Sequence, residues 1–539
     1  MGQVEKKSEV KLNVAGLTAH TFITGSTGAG KSNTIYKMLE QLNEEDVKFL
    51  VVEPAKGEYK DITAFGGKSD VTVYGTNPKV KETEMLQINP FSFPKEVHVL
   101  EHLDRLVEIF NVCWPMYAAM PAILKDAIER AYEKAGWDME MSENKYDDSL
   151  FPTFKDVYEQ IREVLEESEY SADNKGDYTG ALVTRLRSLT TGINGLIFNA
   201  DEISMEELFD TNVIVDLSRI GSTETKSLIM GLLVLKLQEY RMGSSEANQY
   251  LKHVTVLEEA HNLLKRTSSE QSSESGNLLG KSVEMLANSI AEMRTYGEGF
   301  IIADQSPGLL DMSVIRNTNT KIILRLPDYE DRELVGRAAG LNDEQIVELA
   351  KLDNGVAAVM QSDWLEPVLC QIDKYERKYD WMEEYEQSNE ENDSLKKISV
   401  EKELLNCIMN NELYRKNDRV DIKKLKDKVI HSKLETPVKC DFMEYILSDS
   451  TDLFKPLQKL LFDFLHAEKA IENAKECTEM KPWLRNVINS LSPFVQSFET
   501  EQINLVLGLI IAEKVQRDAE YEEIYNHFTE LYIKGRGIV

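Results

Sequence analysis

Cysteine is scarce in this chain: five residues in 539, at positions 113, 370, 407, 440 and 477. Their odd number and wide scatter, with no C-x-x-C spacing, argue against a disulfide framework or a cysteine-ligated zinc and fit reduced thiols. Long apolar runs are missing too. The longest candidate, Leu505 to Ala512, is far shorter than the roughly 18 apolar residues of a membrane span. The opening Met-Gly-Gln-Val-Glu-Lys-Lys-Ser has no apolar h-region, so no secretory signal is read there and a cytoplasmic location without a membrane partner is expected. Positive charge is the third shortage. Lys and Arg number 62 against 93 Asp and Glu, a net charge of −31. So acidic an exterior excludes a protein that coats nucleic acid with its outer surface, because phosphate contacts supply most non-specific affinity. Any such contact belongs in a local basic loop or an enclosed channel. The 42% hydrophobic and 29% charged composition is that of a globular protein, and the length suits two or three domains.

What is present is an α/β pattern followed by an all-helical stretch. Short apolar runs at Thr21–Thr24, Val47–Val52, Val71–Tyr74 and Met85–Ile88 alternate with helical stretches, the signature of a parallel sheet. From about 96 to 200 the periodicity is helical, notably over 97–111, 119–135 and 154–168, interrupted by a polar loop at 138–150. Strand signals return at Val213–Leu217, Val254–Leu257, Phe300–Ala303 and Lys321–Leu326, with helices near 223–241 and 278–296 and a final edge hairpin near 355–373. The expected organisation is an α/β core in two parts, 1–95 and 201–375, around a helical insertion at 96–200. An acidic linker at 376–394 and a helical region at 395–539, with amphipathic stretches at 456–473 and 500–517, complete the chain.

The most specific motif is Gly25-Ser26-Thr27-Gly28-Ala29-Gly30-Lys31-Ser32, between an apolar strand and a helix that begins near Asn33. Glycines at 25, 28 and 30 let the backbone form a cradle whose N–H groups all point inward at a helix N-terminus, where negative charge is favoured. Lys31 can reach the β- and γ-phosphates, and the Ser32 hydroxyl is placed for the accompanying Mg²⁺. This predicts binding of ATP or GTP.

Hydrolysis also needs a carboxylate on the metal side and a group that activates water. The strand His253-Val-Thr-Val-Leu ends in Glu258 and Glu259, followed by His261 and Asn262. By position Glu258 is the metal-side acid and Glu259 the catalytic one, with His261 expected to orient its neighbours.

Four segments in this order, His20–Asn33, Glu258-Glu-Ala-His-Asn262, Arg294-Thr-Tyr-Gly297 and Ala303-Asp-Gln-Ser306, resemble the HerA/FtsK group of P-loop ATPases and, within it, the HerA branch. The likeness covers roughly residues 10–375. It implies a RecA-like sheet, an Mg²⁺-dependent ATPase, assembly into a homohexameric ring, and translocation of double-stranded DNA through the central channel. Carried over residue by residue, residues 25–33 including Asn33 hold the nucleotide, Ser32 and Glu258 the metal, and Glu259 activates water. Gln305 matches the polar sensor of the γ-phosphate, and Arg294 the arginine finger inserted into the neighbouring subunit's site. Lys56 and Glu58, in Glu53-Pro-Ala-Lys-Gly-Glu-Tyr59, are expected near the site, and Asn89-Pro90 resembles a structural landmark.

Two departures stand out. The metal-side acid is commonly Asp in that group and is Glu258 here. HerA proteins commonly carry an N-terminal β-barrel, which the few residues before Thr21 do not supply, so ring assembly is expected to rest on other surfaces or on a partner. The resemblance further implies an effector partner, a nuclease or a sirtuin-like NADase, in DNA processing or anti-phage defence. DNA contact is expected at Lys265-Arg266 in the polar loop 265–276, near Lys281, or at Arg185-Leu-Arg187. The alternatives are an ATP-dependent scaffold ring that regulates a bound effector, or an ATPase of the conjugation and type IV secretion kind.

Overall fold

The computed structural model describes residues 9–62, 71–114, 116–244, 248–266, 275–376, 400–409, 422–447, 454–477, 479–491, 495 and 498–533. The chain divides into two compact units, residues 1–129 with 157–394 and residues 130–156 with 395–539.

The first unit is built on a ten-stranded sheet. In chain order its strands are β1 (Thr21–Thr24), β2 (Lys48–Glu53), β3 (Val71–Gly75) and β4 (Glu84–Met85), then β7 (Asn212–Asp216), β8 (His253–Glu258), β9 (Glu298–Asp304), β10 (Thr320–Ile323), β11 (Val356–Met360) and β12 (Val368–Gln371). A short hairpin, β5 (Trp137–Asp138) and β6 (Glu143–Asn144), belongs to the second unit. The spatial order is β12-β11-β10-β1-β9-β8-β2-β7-β3-β4, parallel from β10 to β4, with β11 and β12 added antiparallel at one edge. Parallel strands covered on both faces must be apolar throughout, and β1, β7, β8 and β9 are buried at every residue. All the parallel strands therefore end on one edge of the sheet, where α/β folds place their ligands.

The helix Lys31–Glu44 follows β1 and buries Ile35, Met38, Leu39 and Leu42 in the same core as Ile23, Phe49, Val51, Ile322 and Leu324. The 22-residue helix Thr223–Ser244 is apolar nearly all round, because it packs both beneath Val99–Cys113 and within the unit's interior. This is the α/β, RecA-like architecture expected from the chain, with the helices of 96–200 inserted between β4 and β7.

Several boundaries differ from expectation. The run 85–88 yields a strand only at Glu84–Met85; Ile88 instead makes an isolated bridge to Phe198, just before Asn89-Pro90 turns the chain away. The helical stretch 456–473 is two helices, Phe454–Phe464 and Ala467–Asn473, divided at His466, whose φ of 50° interrupts the helix. Helices at Val99–Cys113, Met120–Lys134, Phe154–Glu167 and Thr500–Arg517 lie where the periodicity puts them.

The second unit is all helical apart from β5 and β6, and it draws on the middle of the insertion. Leu150 joins a core made of residues 404–528. Thr436 donates to Asp156 at 2.7 Å, Tyr146 to Glu444, and Lys426 pairs with Asp147. Sequence periodicity reports each helix separately and carries no sign that residues 130–156 share a core with residues beyond 395. The acidic linker lies outside the described residues except for Glu376. Among the described residues no helix is long and apolar enough to cross a membrane.

Candidate active site

The phosphate loop leaves β1 at Thr24 and feeds the helix at Lys31. Gly28 and Gly30 adopt φ of 77° and 109°, the region where a side chain is strained. At Gly25 a Cβ would stand 2.8 Å from Leu324 Cβ, so the loop lies close against the chain leaving β10. Ser26 fastens it there, donating both its N–H (2.9 Å) and its hydroxyl (3.1 Å) to the Arg325 carbonyl. The Ala29 N–H turns back to Ser26 O at 3.0 Å. The expectation that every N–H of the loop points inward therefore fails at Ser26 and Ala29, which commit their donors to the loop's own shape. Asn33, expected with the nucleotide, is occupied as well: it donates to Asp373 O at 3.0 Å and accepts from Tyr375 N at 2.8 Å, tying the helix to the chain beyond β12.

Lys31 is buried between two carboxylates, 3.3 Å from Glu258 Oε2 and 3.3 Å from Glu259 Oε1. Glu259 sits in the left-handed region, φ 46° and ψ 49°, a conformation costing a non-glycine residue on the order of 1–3 kcal/mol. Such strain is retained where the surroundings over-determine it. Here Asn262 holds the Glu259 carbonyl through its N–H (2.9 Å) and its side-chain amide (2.8 Å), while Gln305 donates to the Glu259 carboxylate. Thr27 of the phosphate loop donates to Gln305 Oε1 at 2.6 Å. Lys31, Glu258, Glu259, Gln305 and Thr27 thus form one hydrogen-bonded cluster, drawn from the end of β8 and the segments that follow β1, β8 and β9.

Behind this cluster lie His261, Lys56 and Glu58, expected near the site, and Asp304, Glu53 and Tyr59, which the sequence reading gave no role. Asp304, fully buried at the end of β9, accepts from both the N–H and Nδ1 of His261 at 2.9 Å, and from Ser306 N at 2.9 Å. This bond to Asp304 raises the His261 pKa above its ordinary value. Glu53, at the end of β2, accepts from the N–H groups of Glu58 (2.9 Å) and Tyr59 (3.1 Å), and burial pushes its pKa up to about 7. It thereby shapes the turn that sends Tyr59 to donate its hydroxyl to Glu258. Lys56 and Glu58 pair with each other at 2.9 Å, and Lys56 lies within the field of Glu258 and Glu259. The signal available in the sequence was an acidic residue at the end of four adjacent apolar strands: Glu53, Asp216, Glu258 and Asp304 close β2, β7, β8 and β9.

So many carboxylates around one lysine suit a divalent cation. Ser32, half-buried in the first helical turn, and the buried Glu258 are compatible with the expected metal pair. Among the described residues, donor atoms of Glu259, His261 and Asp304 also lie within 4.8 Å of one another.

A family model described as "Helicase HerA, central domain" matches residues 1–237. The DNA double-strand break repair helicase HerA of Sulfurisphaera tokodaii is 24% identical over 393 residues, covering 71% of this chain and 71% of that protein. Its namesake from Sulfolobus acidocaldarius is 26% identical over 375 residues, covering 69% and 68%. The chain is a P-loop ATPase similar to the HerA helicases. Among solved structures, VirB4 of Thermoanaerobacter pseudethanolicus aligns with a TM-score of 0.49 and 16% identity, over 66% of this chain and 89% of that one.

In this ATPase Arg294 stands apart from the cluster. It is exposed in a 3₁₀ turn, Met293–Tyr296, that precedes β9, whereas Gln305 follows β9. Seven residues of strand span about 20 Å, so Arg294 and Lys31 lie at opposite ends of the sheet. Of the basic residues expected at DNA, Arg185 is committed to Glu224 (3.6 Å) and to Ala181 O (3.3 Å), while Arg187 is exposed. Lys265 and Arg266 are exposed and anchored: Lys265 bridges Leu310, and the Arg266 N–H donates to Leu309 O at 2.7 Å. Residues 267–274 of that loop lie outside the described residues.

Proposed function

We propose that this ATPase moves double-stranded DNA through a homohexameric ring, hydrolysing ATP at sites that each require a neighbour's Arg294. The placement of Arg294 carries the proposal: it cannot serve the Lys31 site of its own chain across about 20 Å of strand, yet an arginine neutralising the transferred phosphoryl group is worth about 10³ to 10⁵ in rate. Within one subunit, Lys31 binds phosphate oxygens, Glu259 takes a proton from the attacking water, and Gln305 orients Glu259 and reads the γ-phosphate. Ser32 and Glu258 would hold Mg²⁺, which when bound would neutralise phosphate charge.

The DNA contact is proposed at Lys265 and Arg266. Glu259 and Gln305 bond to each other, and a few residues onward their chains meet again at the Lys265–Leu310 bridge. That closed path suits a loop whose position follows the state of the site. An effector protein, a nuclease or sirtuin-like NADase, and a role in phage defence extend the proposal on the family resemblance alone. The net charge of −31 favours a second reading, in which the ring regulates a bound protein and DNA is secondary. ATPase rate against double-stranded DNA over a salt series decides between them. A DNA-stimulated rate that falls steeply with salt is expected; a rate indifferent to DNA but raised by a co-purifying protein would establish the regulator instead.

A further inference from the structure

A buried charge network lies at the end of the sheet away from the phosphate loop, and nothing in the nucleotide site uses it. Glu298, the first residue of β9, has no exposed surface. Its carboxylate accepts from Arg241 Nε at 3.2 Å, His253 Nδ1 at 2.6 Å and Thr255 Oγ1 at 3.1 Å. Arg241 in turn donates to Asp210 at 2.7 Å and to the Phe209 carbonyl. Buried charges are a costly way to stabilise a fold, since apolar replacements of similar volume often do as well. What ions and directional hydrogen bonds do supply is a single position for the backbone that carries them.

The backbone carried here is the arginine turn. Gly297, adjacent to Glu298, has φ of 78°, and a Cβ on it would stand 2.2 Å from the Tyr250 carbonyl. Its own carbonyl accepts from Lys252 N at 2.9 Å, and Thr295 O accepts from Gln249 N at 3.2 Å. Arg294 is thus presented from a turn clamped by residues 249–252 on one side and by Glu298 on the other. We infer that Glu298, held by Arg241, His253 and Thr255, is the positioning residue that aims Arg294 out of its own subunit and into the neighbour's nucleotide site. The inference rests on the proposal that Arg294 acts across a subunit boundary.

Subunit mixing separates the two. Glu298→Gln alone is expected to lower kcat at least tenfold with the KM for ATP within about twofold of the parent. Lys31→Ala subunits have a dead site and an intact arginine turn. When they are mixed with Glu298→Gln subunits, the intact sites of the latter gain a properly aimed arginine, so activity should exceed the sum of the separate proteins. A defect confined to the mutant's own site through β9, or a general loss of structure, gives no such gain. Arg294→Ala mixed with Lys31→Ala is the control. Gain in the control but none with Glu298→Gln overturns the positioning role, as does an unchanged kcat in Glu298→Gln alone. No gain in the control overturns action in trans, and the inference falls with it. Thr255→Val guards against misfolding: it removes one donor while Glu298 stays paired with Arg241 and His253, and should show a smaller kcat loss rescued in the same mixture.

Discussion

Lys31 Nζ lies 3.3 Å from Glu259 Oε1, so the lysine of the phosphate loop is held by the carboxylate proposed to activate water. On the proposed mechanism a triphosphate takes over that lysine and so releases Glu259 from it, making binding and catalytic arming one exchange of partners.

That exchange makes two substitutions diverge. Lys31→Ala should lose both ATP binding and turnover. Glu259→Gln should lose turnover by at least about 10²-fold yet bind ATP about tenfold more tightly, because a competing negative charge is gone; tenfold corresponds to about 1.4 kcal/mol. Equilibrium binding of a fluorescent ATP analogue measures both, and weaker binding by Glu259→Gln would contradict its assigned place.

Tyr59 serves Glu258 from a fully buried position, with its ring edge-on to Tyr36 at 5.0 Å. Tyr59→Phe leaves the packing and removes the donor, so about 1–3 kcal/mol of stability should be lost in urea unfolding. The Mg²⁺ concentration giving half-maximal ATPase should also rise. Unchanged Mg²⁺ dependence would show that Glu258 needs no second anchor.

His20 gives a pH signature far from the catalytic cluster. It is buried, its Nδ1 accepts the Phe300 N–H at 3.1 Å, and burial lowers its pKa from 6.5 to about 4. The folded pKa is the lower one, so on acidification the unfolded chain takes the proton first. The stability due to neutral His20 is complete above about pH 6.5 and is lost progressively as pH falls toward 4. One pH unit into that window amounts to about 1.4 kcal/mol. His20→Asn can accept the same N–H, and the backbone at φ 64° and ψ 156° strains histidine and asparagine alike. Chemical denaturation at about pH 7.5 and 5.5 should show the drop reduced by about that amount in the variant; an identical drop would assign the acid sensitivity elsewhere.

Lys265→Ala with Arg266→Ala should bring the ratio of DNA-stimulated to DNA-free ATPase toward one. The dependence of DNA affinity on salt should also flatten, by about 0.9 in slope for each phosphate that is no longer neutralised. Full stimulation in the double variant would place the DNA elsewhere, with Arg187 the next residue to test.

The phosphate loop, the paired Glu258 and Glu259, and the alternation of strands with helices were legible because each is a local pattern. Eight contiguous residues suffice to bend the loop, and a buried parallel strand must be apolar along its length. Less was legible wherever partners come from distant parts of the chain. Nothing near Asn33 announces the backbone at 373–375 that occupies it, and nothing in Asp147 or Asp156 announces the helices past residue 395 that meet them.

From sequence alone came the resemblance to HerA ATPases and the residues of the cluster Thr27, Lys31, Glu258, Glu259 and Gln305. Only the tertiary structure decided that Tyr59 braces Glu258, that Asp304 orients His261, and that Arg294 stands at the wrong end of β9 for its own site. Those relationships depend on the strand order β1-β9-β8-β2, which is set by how the helices cover the sheet's two faces. Parallel neighbours in a sheet are joined by crossovers of a dozen residues or more, long enough to pass over other strands, so the order in which strands lie in space is not written in the order in which they occur along the chain.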